Sequence, residues 1–501
     1  MKRLATMLLG LVLIATGLPA LAQEAGRRGA TPEARGGEQA STGFRLPAPV
    51  VTHHVLELPG RTLRFTATVG AIRQYDLSGN PYAEIFYVAY QLENPPARRP
   101  VSFALNGGPG FASAWLHLGV LGPWRLPMTG EAARPSADPV ALPNAETWLD
   151  FTDLVFLDPV GTGFSRLVSG SEDARKRVWG VEGDVDSLAA AMRTWLESSG
   201  RGASPKYIIG ESYGGFRAPR IARALVTERG IGVDGLVLVS PALDFGGSTV
   251  FDPMDYVGRL PSYAAVAMAR KGGVDRAALA EAERYAEGDF LRDLTRGVRD
   301  TAATGRVVAR VGALTGLDPA VVARMGGRIG LRAYTRELFR AEGLVASPYD
   351  PTLTLPDPAP GGSGFRADDP VLEGLSAPMT SGMLVLLDRL DWHPPAGARY
   401  RLFNREISSA WDWGSGRNPP ESVTALGQSL ALDASLRVLV AHGMFDLVTP
   451  YFATSLRLRD IPVAAGAERV RLTTYRGGHM FYANDDSRAA FRADAAALYA
   501  R

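Results

Sequence analysis

The chain of 501 residues contains no cysteine. Disulfides are excluded as a means of support, and so is a lipid anchor through cysteine, so core burial alone must hold the fold. Histidine is scarce, with 6 in the chain, and no His-Glu-x-x-His is present. Without that pattern and without thiolates, zinc chemistry is disfavoured. The glycine turn at residues 106–110 is not followed by Gly-Lys-Ser/Thr, which removes a phosphate-cradling loop. No cofactor is therefore expected. Charge of one sign is lacking too: 54 Lys and Arg stand against 52 Asp and Glu, a net charge of +2. Neither nucleic acid nor an anionic membrane is an expected partner. Beyond residue 22 no stretch reads as long and apolar enough to cross a bilayer, so the mature protein is expected to be soluble.

What is there is ordinary globular material, 46% hydrophobic and 21% charged, with room for one large domain or two moderate ones. Met1-Lys2-Arg3, an apolar run from Leu4 to Leu18 and the ending Ala20-Leu21-Ala22 have the layout of a secretory signal peptide. The apolar run is shorter than the roughly 20 residues a membrane anchor needs. Residues 1–22 are thus expected to be a signal peptide for export to the periplasm or the medium. Residues 23–48, rich in Gly, Arg, Glu, Ala and Pro, are expected to be a flexible leader.

Folding is expected to begin near Val50. Arg61 to Gln74 and Ala83 to Leu92 alternate as two antiparallel strands at a sheet edge, joined by the turn Ser78-Gly79-Asn80-Pro81. Apolar strands at Val101–Leu105, Leu154–Leu157, Lys206–Ile209 and Gly235–Val239 follow. Among them lie helices at Glu182–Ser199 and Phe216–Thr227. Strand and helix in alternation predict a parallel sheet covered on both faces. Residues 244–421 break that rhythm. Helices opened by Asp275 and Asp318-Pro319 and a Pro-rich stretch from Ser347 to Gly362 mark an inserted, mainly helical cap. The rhythm returns at residues 422–501 with a helix, strands at Leu436–Ala441 and Arg469–Tyr475, and a closing helix. The core is thus expected in two parts, 49–243 and 422–501.

The strand at Ile208-Ile209 runs straight into Gly210-Glu211-Ser212-Tyr213-Gly214-Gly215. Gly-x-Ser-x-Gly between a strand and a helix is a nucleophile elbow, whose tight turn admits no side chains two residues either side of the serine. Ser212, Asp446 and His479 then stand at the ends of successive strands, in the order nucleophile, acid, histidine that an α/β-hydrolase fold imposes. Asp433, in a helix, and Asp460, in a later surface-like segment, are the competing acids. In the expected chemistry Ser212 attacks a carbonyl, His479 takes its proton, and Asp446 orients the imidazole. The N–H of Tyr213 and one from the glycine turn at Gly108 are the expected oxyanion donors.

Four segments together resemble the serine carboxypeptidase family, peptidase S10. They are Asn106-Gly107-Gly108-Pro109-Gly110 with Gly122-Pro123; Leu157 to Ser165, with Asp158-Pro159-Val160-Gly161-Thr162-Gly163; Gly210 to Gly215; and Gly478-His479-Met480. The resemblance implies removal of C-terminal residues from peptides that have a free C-terminus. It also implies that Asn106, Gly107 and Glu211 bind substrate, with Asn106 and a protonated Glu211 holding the terminal carboxylate. The chain departs from the family at four places. Val120 stands where a second glutamate is usual, Ala104 where a tryptophan is, Phe111 where a cysteine is, and Gly443-Met444-Phe445 precedes the aspartate in place of Gly-Asp-x. Arg217 is open to two readings, a substitute carboxylate binder or a structural or surface arginine. An esterase or acyltransferase on the same scaffold, and a binding protein that keeps the pocket, are the alternative functions.

Overall fold

The computed structural model describes residues 45–168, 171–246, 251–361, 369–416 and 418–500. The expected signal peptide and residues 23–44 of the expected leader lie outside the described residues. Leu46 is already buried, and its N–H reaches Glu84 Oε2 at 3.3 Å.

One sheet carries the fold. Its strands are β1 (Val50–Leu58), β2 (Arg61–Tyr75), β3 (Pro81–Leu92), β4 (Val101–Leu105), β5 (Asp153–Leu157), β6 (Lys206–Glu211), β7 (Gly235–Val239), β8 (Arg437–Gly443) and β9 (Val470–Tyr475). They lie in the order β1-β2-β3-β5-β4-β6-β7-β8-β9, with a two-residue strand, Arg166–Leu167, added on β3. From β5 to β9 every neighbouring pair is parallel, whereas β1, β2 and β3 run antiparallel. A mostly parallel sheet with helices on both faces and a Gly-x-Ser-x-Gly turn after a central strand is the α/β-hydrolase fold.

Burial explains the continuous apolar strands. Ile208, Leu236 and Leu238 enter one core cluster while Ile209, Val237 and Val239 enter the other, because alternate side chains of a strand leave opposite faces. The first cluster is covered by α1 (Val181–Ser198) and α2 (Tyr213–Arg229), which supply Leu188, Met192, Phe216 and Ile221. Each such side chain contributes roughly 1.5–3 kcal/mol by leaving water. Helix α2 stops at Gly230, whose φ of 67° gives the left-handed cap that side chains resist.

β7 and β8 are neighbours, yet residues 240–436 lie between them in the chain. That stretch is mainly helical, with α3 (Pro253–Arg270), α4 (Arg276–Tyr285), α5 (Thr301–Thr315) and α6 (Pro370–Arg389). Asp252, Asp275, Asp300 and Asp369 each accept a backbone N–H at the start of one of these helices. Helices α3 to α5 share a cluster with Phe445, Leu447, Tyr451 and Phe452, which anchors the loop after β8.

Two expectations need correction. The sheet edge is not the pair β2 and β3: β1 lies outside them, its Val51, Val55 and Glu57 exposed and its Leu56 and Leu58 buried. The Pro-rich stretch, as expected no core element, carries a short and largely exposed strand, Thr354–Pro356, paired with Leu344–Ala346. Helix α6, at 20 residues and with a mean hydropathy of 1.3 over its most apolar window, is long and apolar enough to cross a membrane. Its Leu375, Met379, Met383, Leu386 and Leu387 are instead buried in the core beneath the sheet.

Candidate active site

The parallel strands end level with one another: Leu105 pairs with Gly210, Val239 with both Glu211 and Ala441, and Gly443 with Tyr475. Loops leaving this edge bring the expected residues together, as the topology of an open parallel sheet requires.

Ser212 leaves β6 at φ 60° and ψ −121°, a backbone region costly for any residue with a side chain. Its N–H donates to the Val239 carbonyl at 2.9 Å and its own carbonyl accepts from Gly215 and Ala242, so the strain is held from both sides. A Cβ at Gly210 would run into the Gly214 carbonyl and one at Gly214 into the Leu105 carbonyl, so the elbow needs glycine at both places. The turn after β4 lies against this elbow, for a Cβ at Gly107 would strike the Tyr213 backbone nitrogen. Tyr213 is the first residue of α2 and has no intrahelical acceptor. Among the described residues, neither its N–H nor that of Gly108 makes a hydrogen bond.

His479 Nδ1 lies 2.7 Å from Asp446 Oδ2, and both side chains are buried. The carboxylate can only accept, so this contact places the neutral ring's proton on Nδ1 and leaves Nε2 with a free lone pair. Asp446 is itself fixed: Oδ1 accepts from the backbone of Val448 (2.8 Å) and Thr449 (3.0 Å). Thr449 Oγ1 stands 2.6 Å from Asp446 Oδ2 and 2.9 Å from the Ser240 carbonyl. Ser240 Oγ in turn donates to the His479 carbonyl at 2.8 Å. Burial opposes charge on His479, but the Asp446 carboxylate outweighs it and, with Glu211, raises the imidazole above its ordinary value. Among the described residues no hydrogen bond joins Ser212 Oγ to His479.

Glu211 is 2% exposed. Its Oε2 accepts from Asn106 Nδ2 at 2.8 Å and from Tyr482 Oη at 2.9 Å. Burial pushes its pKa to about 7, against the pull of His479 and of the two donors. Asn106 cannot turn its amide round, because Oδ1 already accepts the Leu116 N–H at 2.9 Å. Arg217 is structural. Fully buried, it pairs with Asp184 at 2.8 Å and donates to the Asn106 carbonyl at 2.9 Å, bracing the glycine turn from behind. Val120 is buried in the hydrophobic core.

The inserted segment completes the site's frame. The Tyr349 carbonyl accepts the His479 N–H at 2.6 Å, and Asp350 Oδ2 accepts that of Gly478 at 2.9 Å. On the other side Asn404 N–H reaches the Gly110 carbonyl at 2.8 Å, and Phe111 stacks on Phe403 with centroids 4.2 Å apart. Thr449, Ser240, Tyr349, Asp350 and Tyr482 were not among the residues expected from sequence. Only Thr449 had a signal, in Asp-x-x-Thr, a spacing that closes a side-chain turn on the backbone.

With this geometry in hand, comparison with known proteins is specific. Residues 60–293 match the family model described as serine carboxypeptidase. Over that span the chain is homologous to the serine carboxypeptidases. The match takes in Asn106, Gly108, Glu211 and Ser212, while Asp446 and His479 lie beyond it. A pheromone-processing carboxypeptidase kex1 of Talaromyces marneffei is 34% identical over 148 residues, 28% of this chain and 21% of that relative. Serine carboxypeptidase-like 20 of Arabidopsis thaliana is 29% identical over 171 residues, 33% of this chain and 31% of that relative. The chain thus spans less than a third of the length of either. Among solved structures, the proline iminopeptidase of Mycobacterium smegmatis aligns over 89% of this chain and 97% of its own, at 13% identity and a TM-score of 0.34. The fold assignment stands on the strand order above and not on that likeness.

Proposed function

We propose that this protein is an exported serine carboxypeptidase that removes C-terminal residues from peptides through Ser212, Asp446 and His479. The observation that carries the reading is the buried Glu211, held by Asn106 beside the nucleophile. With its pKa pushed to about 7, it is neutral at acidic pH and can donate to a substrate's terminal carboxylate. Export is supported by the basic, apolar and Ala-x-Ala layout of residues 1–22.

In this reading Ser212 Oγ attacks the carbonyl carbon of the last peptide bond while His479 Nε2 takes its proton. Asp446 keeps Nδ1 protonated and stabilises the imidazolium. The oxyanion forms against the N–H groups of Gly108 and Tyr213, each worth roughly 3 to 4 kcal/mol in the transition state. His479 passes the proton to the departing amino group, leaving an acyl-enzyme on Ser212. A water, deprotonated by His479, then adds to the acyl carbon and Ser212 leaves with that proton.

The test compares an N-blocked dipeptide having a free C-terminus with its amide across acidic to neutral pH. A strong preference for the free acid is the expected result, and equal cleavage would overturn the carboxypeptidase reading. Val120, apolar and buried where the family has a second carboxyl, favours the alternative of an esterase or acyltransferase. Brisk ester hydrolysis with no peptide turnover would select that alternative.

A further inference from the structure

Tyr482 stands three residues after His479 and is fully buried. Its hydroxyl donates to Glu211 Oε2, the oxygen that also accepts from Asn106. Its ring is clamped against the turn His117–Leu121, close enough that a Cβ on Gly119 would lie 2.8 Å from Tyr482 Cε2. This is the turn that carries Val120. From the far end of the chain the phenol therefore reaches Glu211 past a turn from which, among the described residues, no side chain bonds to that carboxyl.

The two oxygens of Glu211 are not equivalent. Oε2 faces an amide NH₂ whose orientation Leu116 fixes, together with a phenol. A proton on Oε2 would oppose the Asn106 donor and oblige the phenol to turn from donor to acceptor. Among the described residues no hydrogen bond reaches Oε1. We propose that Tyr482 is a positioning residue that, with Asn106, confines the proton of neutral Glu211 to Oε1 and so makes Glu211 a directed donor. That the acceptor is a peptide's terminal carboxylate rests on the carboxypeptidase reading; the confinement of the proton does not. The titratable groups that act on Glu211 are His479, Asp446 and Tyr482, and the Tyr482 hydrogen bond pulls the carboxyl toward its charged form. Removing that bond must therefore move Glu211's ionisation to higher pH.

The experiment uses the full chain with Tyr482→Phe, which keeps the ring against Gly119, alone and combined with Glu211→Gln. Infrared titration of the protonated carboxyl band, assigned by its loss in Glu211→Gln, follows Glu211 without substrate. Kinetics with the free-acid dipeptide and labelling of Ser212 by a fluorophosphonate follow the site. Tyr482→Phe is expected to move the Glu211 band to higher pH. It is also expected to raise KM for the free acid about tenfold with kcat and the labelling rate little changed, and to add nothing in the Glu211→Gln background. An unmoved band, or labelling that falls in step with the rise in KM, overturns the proposal. A moved band in a protein indifferent to the free acid upholds Tyr482's hold on Glu211 and removes the carboxypeptidase reading alone.

Discussion

Tyr349 holds His479 by two contacts at once: its carbonyl accepts the His479 N–H at 2.6 Å, and its ring stands edge-on to the imidazole with centroids 5.3 Å apart. Asp350, the next residue, takes the Gly478 N–H. The turn bearing the histidine is thus clasped by the inserted segment as well as by its own strand.

Asp350→Ala should leave the Gly478 N–H without an acceptor in a buried place. A loss of about 1–3 kcal/mol in stability is expected. Fluorophosphonate labelling of Ser212 should slow as well, because the imidazole loses its fixed height above the sheet. Thermal melts and labelling rates check both; unchanged labelling would show that β9 alone sets the histidine.

Ser212→Ala should lower kcat by about 10⁶-fold with the melting temperature preserved, and Asp446→Asn by about 10⁴-fold. The second value follows because an amide in place of Asp446 no longer dictates the Nδ1 proton. Retained turnover in either variant would displace the triad.

Glu211→Gln should flatten the pH dependence of KM for free-acid substrates. In the unaltered chain the donor is present below about pH 7 and is lost as pH rises through that value, since burial sets the Glu211 pKa at about 7. The glutamine donates at every pH. An alkaline limb that persists in the variant would assign it to another group.

Stability should be greatest at mildly acidic pH. Burial raises Asp158 and Glu211 to about 7, and Asp350 in the same direction. Carboxyls raised in the folded state bind more protons than in the unfolded one, so their stabilisation is complete at low pH and falls as pH climbs from the unfolded values through these folded ones. His479, raised, acts with the same sign. His117 and His442, lowered by burial to about 3 and about 4, act the other way as pH drops below the ordinary histidine value. The carboxyls outnumber these two, so melting temperature should rise between about pH 8 and about pH 5, by a few kcal/mol in free energy. A melting temperature that climbs toward pH 8 would mean that these carboxyls are not protonated in the fold.

The central sheet and the elbow were legible because their causes are local. Strands buried on both faces must be apolar without interruption, as Leu236 to Val239 are, and a turn as tight as that at Ser212 demands glycine at fixed distances. β1 escaped because half its residues face solvent and two are histidines, so its alternation is faint. Tyr482 escaped for a different reason. Its meaning lies in a hydrogen bond to a residue 271 positions away, and nothing in Phe481-Tyr482-Ala483 distinguishes it from a core aromatic. Arg217 read more readily as a structural or surface arginine than as a carboxylate binder, and its buried pair with Asp184 decides for the structural one.

The glycine turn that lies against the Ser212 elbow is tied to the inserted segment by the Phe111 and Phe403 ring stack and by Asn404 against Gly110. A ring pair of this kind contributes about 0.5–1.5 kcal/mol beyond the area it buries. In a chain with no sulfhydryl, no part of that tether responds to thiol–disulfide potential. Its assembly consumes no oxidant and calls for no isomerase to sort bridges, so reducing and oxidising compartments alike are open to folding of this active-site turn.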